Sequence, residues 1–225
     1  MNVRLGEMSR VYAIDQRNHG RSPHSDEFNY TVMAKDLLMF MDEHRIAEAH
    51  LLGHSMGGKT AMQFAKMFPD RVSRLVVVDI APRKYGAHHD HIFDALCALD
   101  LKQFRSRSAI ERELAPHIPS LPVRQFILKN LKRDSSETFG WKLNLLSIRK
   151  HYHCVNREIA RTTPFEKPAL FVRGIHSPYI SQSDIAEIRT QYLNVQFSHI
   201  EAGHWVHAEA ADQFFEAVAR FLQVD

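Results

Sequence analysis

The chain has 225 residues, 44% of them hydrophobic and 24% charged, with a formal net charge of +3. That length holds one domain with a real core and room for an insertion, in the composition range of soluble globular proteins. The basic residues form no run of five or more, which excludes a nucleic-acid footprint, and the apolar runs fall short of the ~18 residues a membrane span needs.

Short apolar runs alternate with longer helical periods, the pattern of a parallel sheet with helices on both faces. Val11-Tyr12-Ala13-Ile14 is the first strand candidate, and Asp15 to Asp26, with Gly20 and Pro23, reads as a loop. Tyr30 to His44 carries Val32, Met33, Leu37, Phe40 and Met41 at helical spacing. His50-Leu51-Leu52 is a short strand cut off by Gly53, and Thr60 to Phe68 continues as a helix that stops at Pro69. Leu75-Val76-Val77-Val78 is a continuous apolar run, as suits a strand buried on both faces. From Pro82 to Thr163 the patterns are helical, with no convincing strand. Helices are expected over 105–114 and 123–131, with Pro116, Pro119 and Pro122 between them. Alternation resumes with a strand over 169–172, a helix over 183–192, a strand over 195–197 and an amphipathic closing helix over 209–222. The expected organisation is a core over 1–81 and 165–225, interrupted by a helical lid at 82–164.

Gly53-His54-Ser55-Met56-Gly57 fits G-x-S-x-G between a short strand and a helix, the context a nucleophile elbow requires. Such a tight turn needs small neighbours, hence Gly53 and Gly57, with Gly58 easing the approach of helix to strand. The turn lifts the Ser55 hydroxyl to a helix N-terminus, whose dipole favours developing negative charge. The backbone N–H of Met56 is there a donor to an oxyanion.

A serine hydroxyl needs a base, and the base needs an orienting carboxylate. In chain order these follow as Ser, acid, His. His204, in Ala202-Gly203-His204-Trp205, lies between the last strand and the closing helix and is the base; His199 lies within or just after that strand, and His207 approaches the helix. The loop after 169–172 reads Arg173-Gly174-Ile175-His176-Ser177-Pro178, with no carboxylate before Asp184 and with Ser177 where an aspartate is expected. Asp79 ends the strand beside the elbow strand and can reach the same histidine. Asp79 is therefore assigned as the acid; the alternative is Asp184, with Asp79 capping or bracing a loop. By position, Trp205 and His54 are candidates for substrate contact, and His207 helps frame the site.

Two cysteines, Cys97 and Cys154, are too few for a disulfide framework, and Met1 to Arg10 holds charges instead of an apolar leader core. Both observations predict a reduced, cytoplasmic protein. His88-His89-Asp90-His91 and His151-Tyr152-His153-Cys154 lack a remote third ligand at helical spacing, so no metal and no cofactor is expected. Lys59, next to the elbow, reads as a surface helical lysine; the alternative is a contact to substrate. Phe93, Leu96, Phe126, Trp141 and Leu145 either line an apolar acyl pocket or form the core of the lid.

The blocks Asp15-Gln16-Arg17-Asn18-His19-Gly20-Arg21-Ser22, Gly53-His54-Ser55-Met56-Gly57-Gly58-Lys59, Val78-Asp79-Ile80-Ala81-Pro82 and Gly203-His204-Trp205-Val206-His207-Ala208-Glu209 resemble the YbfF-type bacterial esterases and their mitochondrial relatives, within the α/β-hydrolase superfamily. The resemblance runs from about Arg10 onward. It implies an α/β-hydrolase fold: a mostly parallel sheet flanked by helices, with an inserted helical lid. It implies hydrolysis of short- to medium-chain acyl esters or thioesters through an acyl-enzyme, with a small-molecule substrate and no metal or cofactor. It also implies an acid just downstream of the elbow strand, in line with Asp79. The family carries further N-terminal strands and a His-Gly loop that gives a second oxyanion donor. Here the chain starts almost at 11–14, so those strands are expected to be missing, with Met56 N–H as the remaining donor. The competing expectation is an impaired or truncated hydrolase that acts as a binding module.

Overall fold

The computed structural model describes residues 2–87, 89–133, 135, 137–160 and 163–222. In chain order the helices and strands are α1 Asn2–Gly6, α2 Tyr30–Glu43, β1 Ala49–His54, α3 Met56–Met67, β2 Val72–Val78, α4 Asp90–Ala98, α5 Arg107–Leu114, α6 Leu121–Leu128, β3 Leu131–Arg133, β4 Phe139–Trp141, α7 Leu145–Lys150, α8 Tyr152–Val155, β5 Ala169–Gly174, α9 Gln182–Gln191, β6 Val195–Ile200, α10 Val206–Glu209 and α11 Ala211–Leu222. They form two compact units. One comprises 1–14, 30–85 and 157–225, and the other 15–29 and 86–156.

The first unit is built on a parallel sheet in the order β1-β2-β5-β6. Leu75, Val76, Val77 and Val78 are fully buried, because helices cover the sheet and a strand so placed has no face left for polar side chains. The register pairs His54 with Val78, Val78 with Val172, and Gly174 with Ile200. The C-terminal ends of the strands thus finish together, and the residues that follow them, Ser55, Asp79, 175–178 and 201–205, gather at one edge, where open α/β sheets place their ligands. On one face, α11 lays Phe214, Val218 and Phe221 against Val76, Val78, Leu170, Val172 and Ile200. Burying side chains of this size contributes about 1.5–3 kcal/mol each.

The run 11–14, expected as a strand, is not one. The described residues place no strand beyond β1, so the run has no ladder to join. Val11, Tyr12 and Ile14 stay 39%, 39% and 45% exposed, and Tyr12 packs edge-on against Phe40 of α2. Between this segment, α2 and β1 lies an open groove of about 930 Å³.

The second unit has its own apolar core, with Leu96, Ile110, Leu114, Ile118, Leu128 and Leu145 buried and Phe93 and Trp141 packed against them. Leu96 and Leu145 are thus core residues of this unit, while Phe126 is half exposed. The expectation of no strand in this region is corrected: β3 and β4 pair antiparallel, with Leu131 opposite Trp141 and Arg133 opposite Phe139. Three residues a side are too few for a periodic signal. Residues 15–29 join this unit through Asn18, which is fully buried. The Asn144 backbone N–H donates to the Asn18 carbonyl at 2.9 Å, and the Asn144 amide donates to Asn18 Oδ1 at 3.1 Å. Among the described residues no helix is long and apolar enough to cross a membrane.

Candidate active site

The elbow is enforced by sterics. A Cβ on Gly53 would lie 2.2 Å from the Gly57 carbonyl oxygen, and one on Gly58 would lie 2.7 Å from Ile80 Cγ2. Ser55 is held at φ 53°, ψ −118°, a conformation that costs of order 1–3 kcal/mol and persists only where the surroundings impose it. They do so by gripping its backbone: Ser55 N–H donates to the Val78 carbonyl at 3.0 Å, and Lys59 N–H donates to the Ser55 carbonyl at 3.1 Å. The Ser55 side chain makes no capping bond to α3. It meets His204 Nε2 instead, at 3.1 Å. Met56 opens α3, so its N–H is among the first-turn donors without an intrahelical acceptor.

Asp79 follows β2 and is likewise held at positive φ, 50°, with its N–H bonded to the Val172 carbonyl at 2.8 Å. Its side chain is fully buried. Oδ2 lies 2.8 Å from His204 Nδ1 and also accepts the Ser177 hydroxyl, while Oδ1 accepts the Gly174 N–H at 3.0 Å. These partners fix the tautomer: Nδ1–H donates to Asp79, leaving Nε2 to accept from Ser55.

Asp184 is committed elsewhere. It forms a capping box with Ser181 at the start of α9 and pairs with Arg83 at 2.9 Å. His199 sits within β6. His207, on α10, packs its ring 4.8 Å from that of His54.

The His204 loop is held from three sides. His54 Nε2–H donates to the His204 carbonyl at 2.8 Å, so His54 braces the loop that carries His204. Burial, reinforced by His204, pushes the His54 imidazole down to about 4 and keeps it neutral. Glu209 accepts the Gly203 N–H at 2.7 Å and the Trp205 N–H at 3.1 Å, gripping the backbone on both sides of His204. Tyr179 stacks on the imidazole, with centroids 4.1 Å apart. The Trp205 ring stands 6.1 Å from that of His204. Glu209, Tyr179 and Ser177 have no role that their sequence positions announce. Glu209 lies in the block Gly203–Glu209, and its i,i+6 and i,i+4 spacing to the loop it holds is the one local signal.

Lys59, expected on the surface, is 1% exposed. Its ammonium donates to the carbonyls of Arg83 at 2.8 Å and Arg157 at 2.5 Å and lies over the rings of Tyr85 and Tyr30. Burial pushes it down to about 7. Two inward-facing carbonyls take the place of water around it.

Among the described residues no group of three His, Cys, Asp or Glu side chains is placed to hold a metal ion. His89 bonds Tyr152 Oη through Nδ1 at 2.7 Å; His88 lies outside the described residues.

Ser55, Asp79 and His204 thus stand together at the ends of three strands. The alpha/beta hydrolase fold family matches residues 8–112. The chain is 37% identical over 221 residues to the sn-1-specific diacylglycerol lipase ABHD11 of Danio rerio, covering 95% of this chain and 69% of that protein. It is 35% identical over 215 residues to esterase YbfF of Escherichia coli (strain K12), covering 94% of this chain and 82% of that protein. Among solved structures it resembles a marine microorganism esterase, with a TM-score of 0.89 and 39% identity over 92% of this chain and 82% of that one. The chain belongs to the α/β-hydrolase family.

Proposed function

We propose that this chain is a serine esterase that hydrolyses acyl esters through an acyl-enzyme on Ser55. The observation that carries the reading is the relay from Ser55 Oγ to His204 Nε2 at 3.1 Å and from His204 Nδ1 to Asp79 Oδ2 at 2.8 Å. As Ser55 Oγ attacks the acyl carbonyl, its proton passes to Nε2, and Asp79 stabilises the imidazolium. The oxyanion forms at the start of α3, where the Met56 N–H and the positive end of the helix meet it. Collapse expels the alcohol, which takes the proton from Nε2. Water then attacks the acyl-enzyme with His204 as base, releasing the acid and restoring Ser55. The names of the relatives, a diacylglycerol lipase and an esterase, support carboxylic esters as the substrate class. Short- to medium-chain acyl esters and thioesters are the proposed range.

The test is turnover of a series of p-nitrophenyl acyl esters by wild type and Ser55→Ala. Saturable turnover with a pre-steady-state burst, abolished in Ser55→Ala, is expected. Equal turnover by the two proteins overturns the assignment.

A further inference from the structure

Tyr85 closes the turn that leaves the acid. Its hydroxyl accepts the N–H of Ala81, just beyond Asp79, at 2.8 Å and donates to the Tyr179 carbonyl at 2.6 Å, across 94 residues of sequence. The Tyr179 ring in turn stacks on the His204 imidazole, with centroids 4.1 Å apart and planes 27° from parallel. One phenol thus joins the backbone that carries the acid to the aromatic ring that covers the base. Tyr85 is itself held. The Arg83 guanidinium lies 4.0 Å over its ring and pairs with the buried Asp184 at 2.9 Å. Burial pushes the phenol upward, so the hydroxyl keeps its proton and remains a donor.

We propose that Tyr85 is a positioning residue for ester hydrolysis: by tethering the Tyr179 carbonyl it keeps the Tyr179 ring stacked on His204, and the stack holds the imidazole in the plane that reaches both Ser55 and Asp79. The inference rests on the triad reading above. His204 meets Ser55 at 3.1 Å and Asp79 at 2.8 Å through its two ring nitrogens, so a swing of the ring lengthens one contact or the other. Misplacing a catalytic group by about 1 Å costs up to about 10²-fold in rate. The stack has a second effect. When Ser55 attacks, the imidazole becomes a cation, and a cation over an aromatic face is attracted to it. Both effects act on the chemical steps and neither on substrate binding, so kcat carries the loss and KM does not.

The experiment is a double-mutant cycle on p-nitrophenyl butyrate turnover, with wild type, Tyr85→Phe, Tyr179→Leu and the double variant, and with fluorophosphonate labelling of Ser55 in each. Tyr85→Phe keeps the ring, whose centroid lies 5.5 Å from that of Tyr179, and removes only the hydroxyl. It is expected to lower kcat roughly 3- to 10-fold with KM unchanged. Tyr179→Leu is expected to lower kcat roughly 10- to 100-fold, and Tyr179→Phe, which keeps the ring, to restore it. In the double variant Tyr85→Phe adds nothing to the loss from Tyr179→Leu, because the tether then holds no ring. Should Tyr85→Phe lose its fold by circular dichroism, Arg83→Met, which takes the cation off the Tyr85 ring, is expected to lower kcat in the same sense by less. Should Tyr179→Leu lose its fold, Tyr179→Met takes its place in the cycle. Losses that multiply in the double variant, an unchanged kcat in the Tyr85 or Arg83 variant, or a rise in KM alone in the Tyr179 variant overturns the proposal and leaves the triad intact. Absence of labelling in wild type overturns the triad reading, and this inference with it.

Discussion

Asp79 and Lys59 both carry a formal charge out of solvent, at 0% and 1% exposure, yet their surroundings differ in kind. Asp79 receives three directed donors, one of them the histidine it serves. Lys59 has two backbone carbonyls and two aromatic faces, and Arg83, a further positive charge, stands nearby. An ammonium so poorly compensated drifts down to about 7. The first arrangement fixes a carboxylate against a histidine; the second ties α3 to the segments around Arg83 and Arg157. Burial of charge at a site therefore reveals little until its partners are counted.

The sharpest way to break the comparison is Asp79→Asn. Asn keeps the shape and tolerates the positive φ, but presents its amide to a histidine that then takes the wrong tautomer. Ester turnover should fall by roughly 10³–10⁴-fold with the fold retained by circular dichroism. A loss below tenfold removes Asp79 from the relay.

Lys59 makes the opposite prediction, large in stability and small in rate. Its pKa is about 7 in the fold against an ordinary 10.5, so above pH 7 the unfolded chain binds more protons than the native one. Stability should therefore climb as pH rises from about 7 toward 10, by roughly 4 kcal/mol at most, and it is lost as pH falls back to 7. Near pH 10 the buried phenols of Tyr85 and Tyr192, both pushed upward, begin to oppose the gain. Urea unfolding of Lys59→Met should show a flatter slope in this window, with turnover close to wild type.

His54 tests whether a buried neutral brace behaves like either charge. It titrates at about 4 in the fold against 6.5, so its contribution, up to about 3 kcal/mol, is present above 6.5 and lost as pH falls toward 4. His54→Leu should flatten the acid side of the stability curve. By freeing the His204 carbonyl it should also lower kcat roughly 10- to 100-fold. The smallest effect is expected of Glu209→Gln: one amide oxygen still accepts from the loop, and kcat should fall only a few-fold in the same assay.

The elbow was legible because its geometry demands glycines at fixed places, and 75–78 because a strand buried on both faces has no polar residue to interrupt it. Asp79 was legible by elimination, since the loop 173–178 offers no carboxylate. Lys59 and Ser177 went unread because their partners lie far off in sequence. Lys59 sits on a helix whose pattern leaves it polar, and the carbonyls that bury it come from Arg83 and Arg157. Ser177 looked like a vacancy, because what it binds arrives from β2. Run 11–14 had the composition of a strand, but composition supplies no neighbouring strand. The strands 131–133 and 139–141, three residues each, are too short for an alternation to announce them.

The most direct test of the account is the site of covalent capture. Folded wild type, Ser55→Ala and Asp79→Asn would be treated with a fluorophosphonate probe and the adduct mapped by peptide mass spectrometry. One adduct is expected on wild type, at Ser55, absent from Ser55→Ala and formed more slowly in Asp79→Asn. No adduct on folded wild type, or one at another residue, would contradict it.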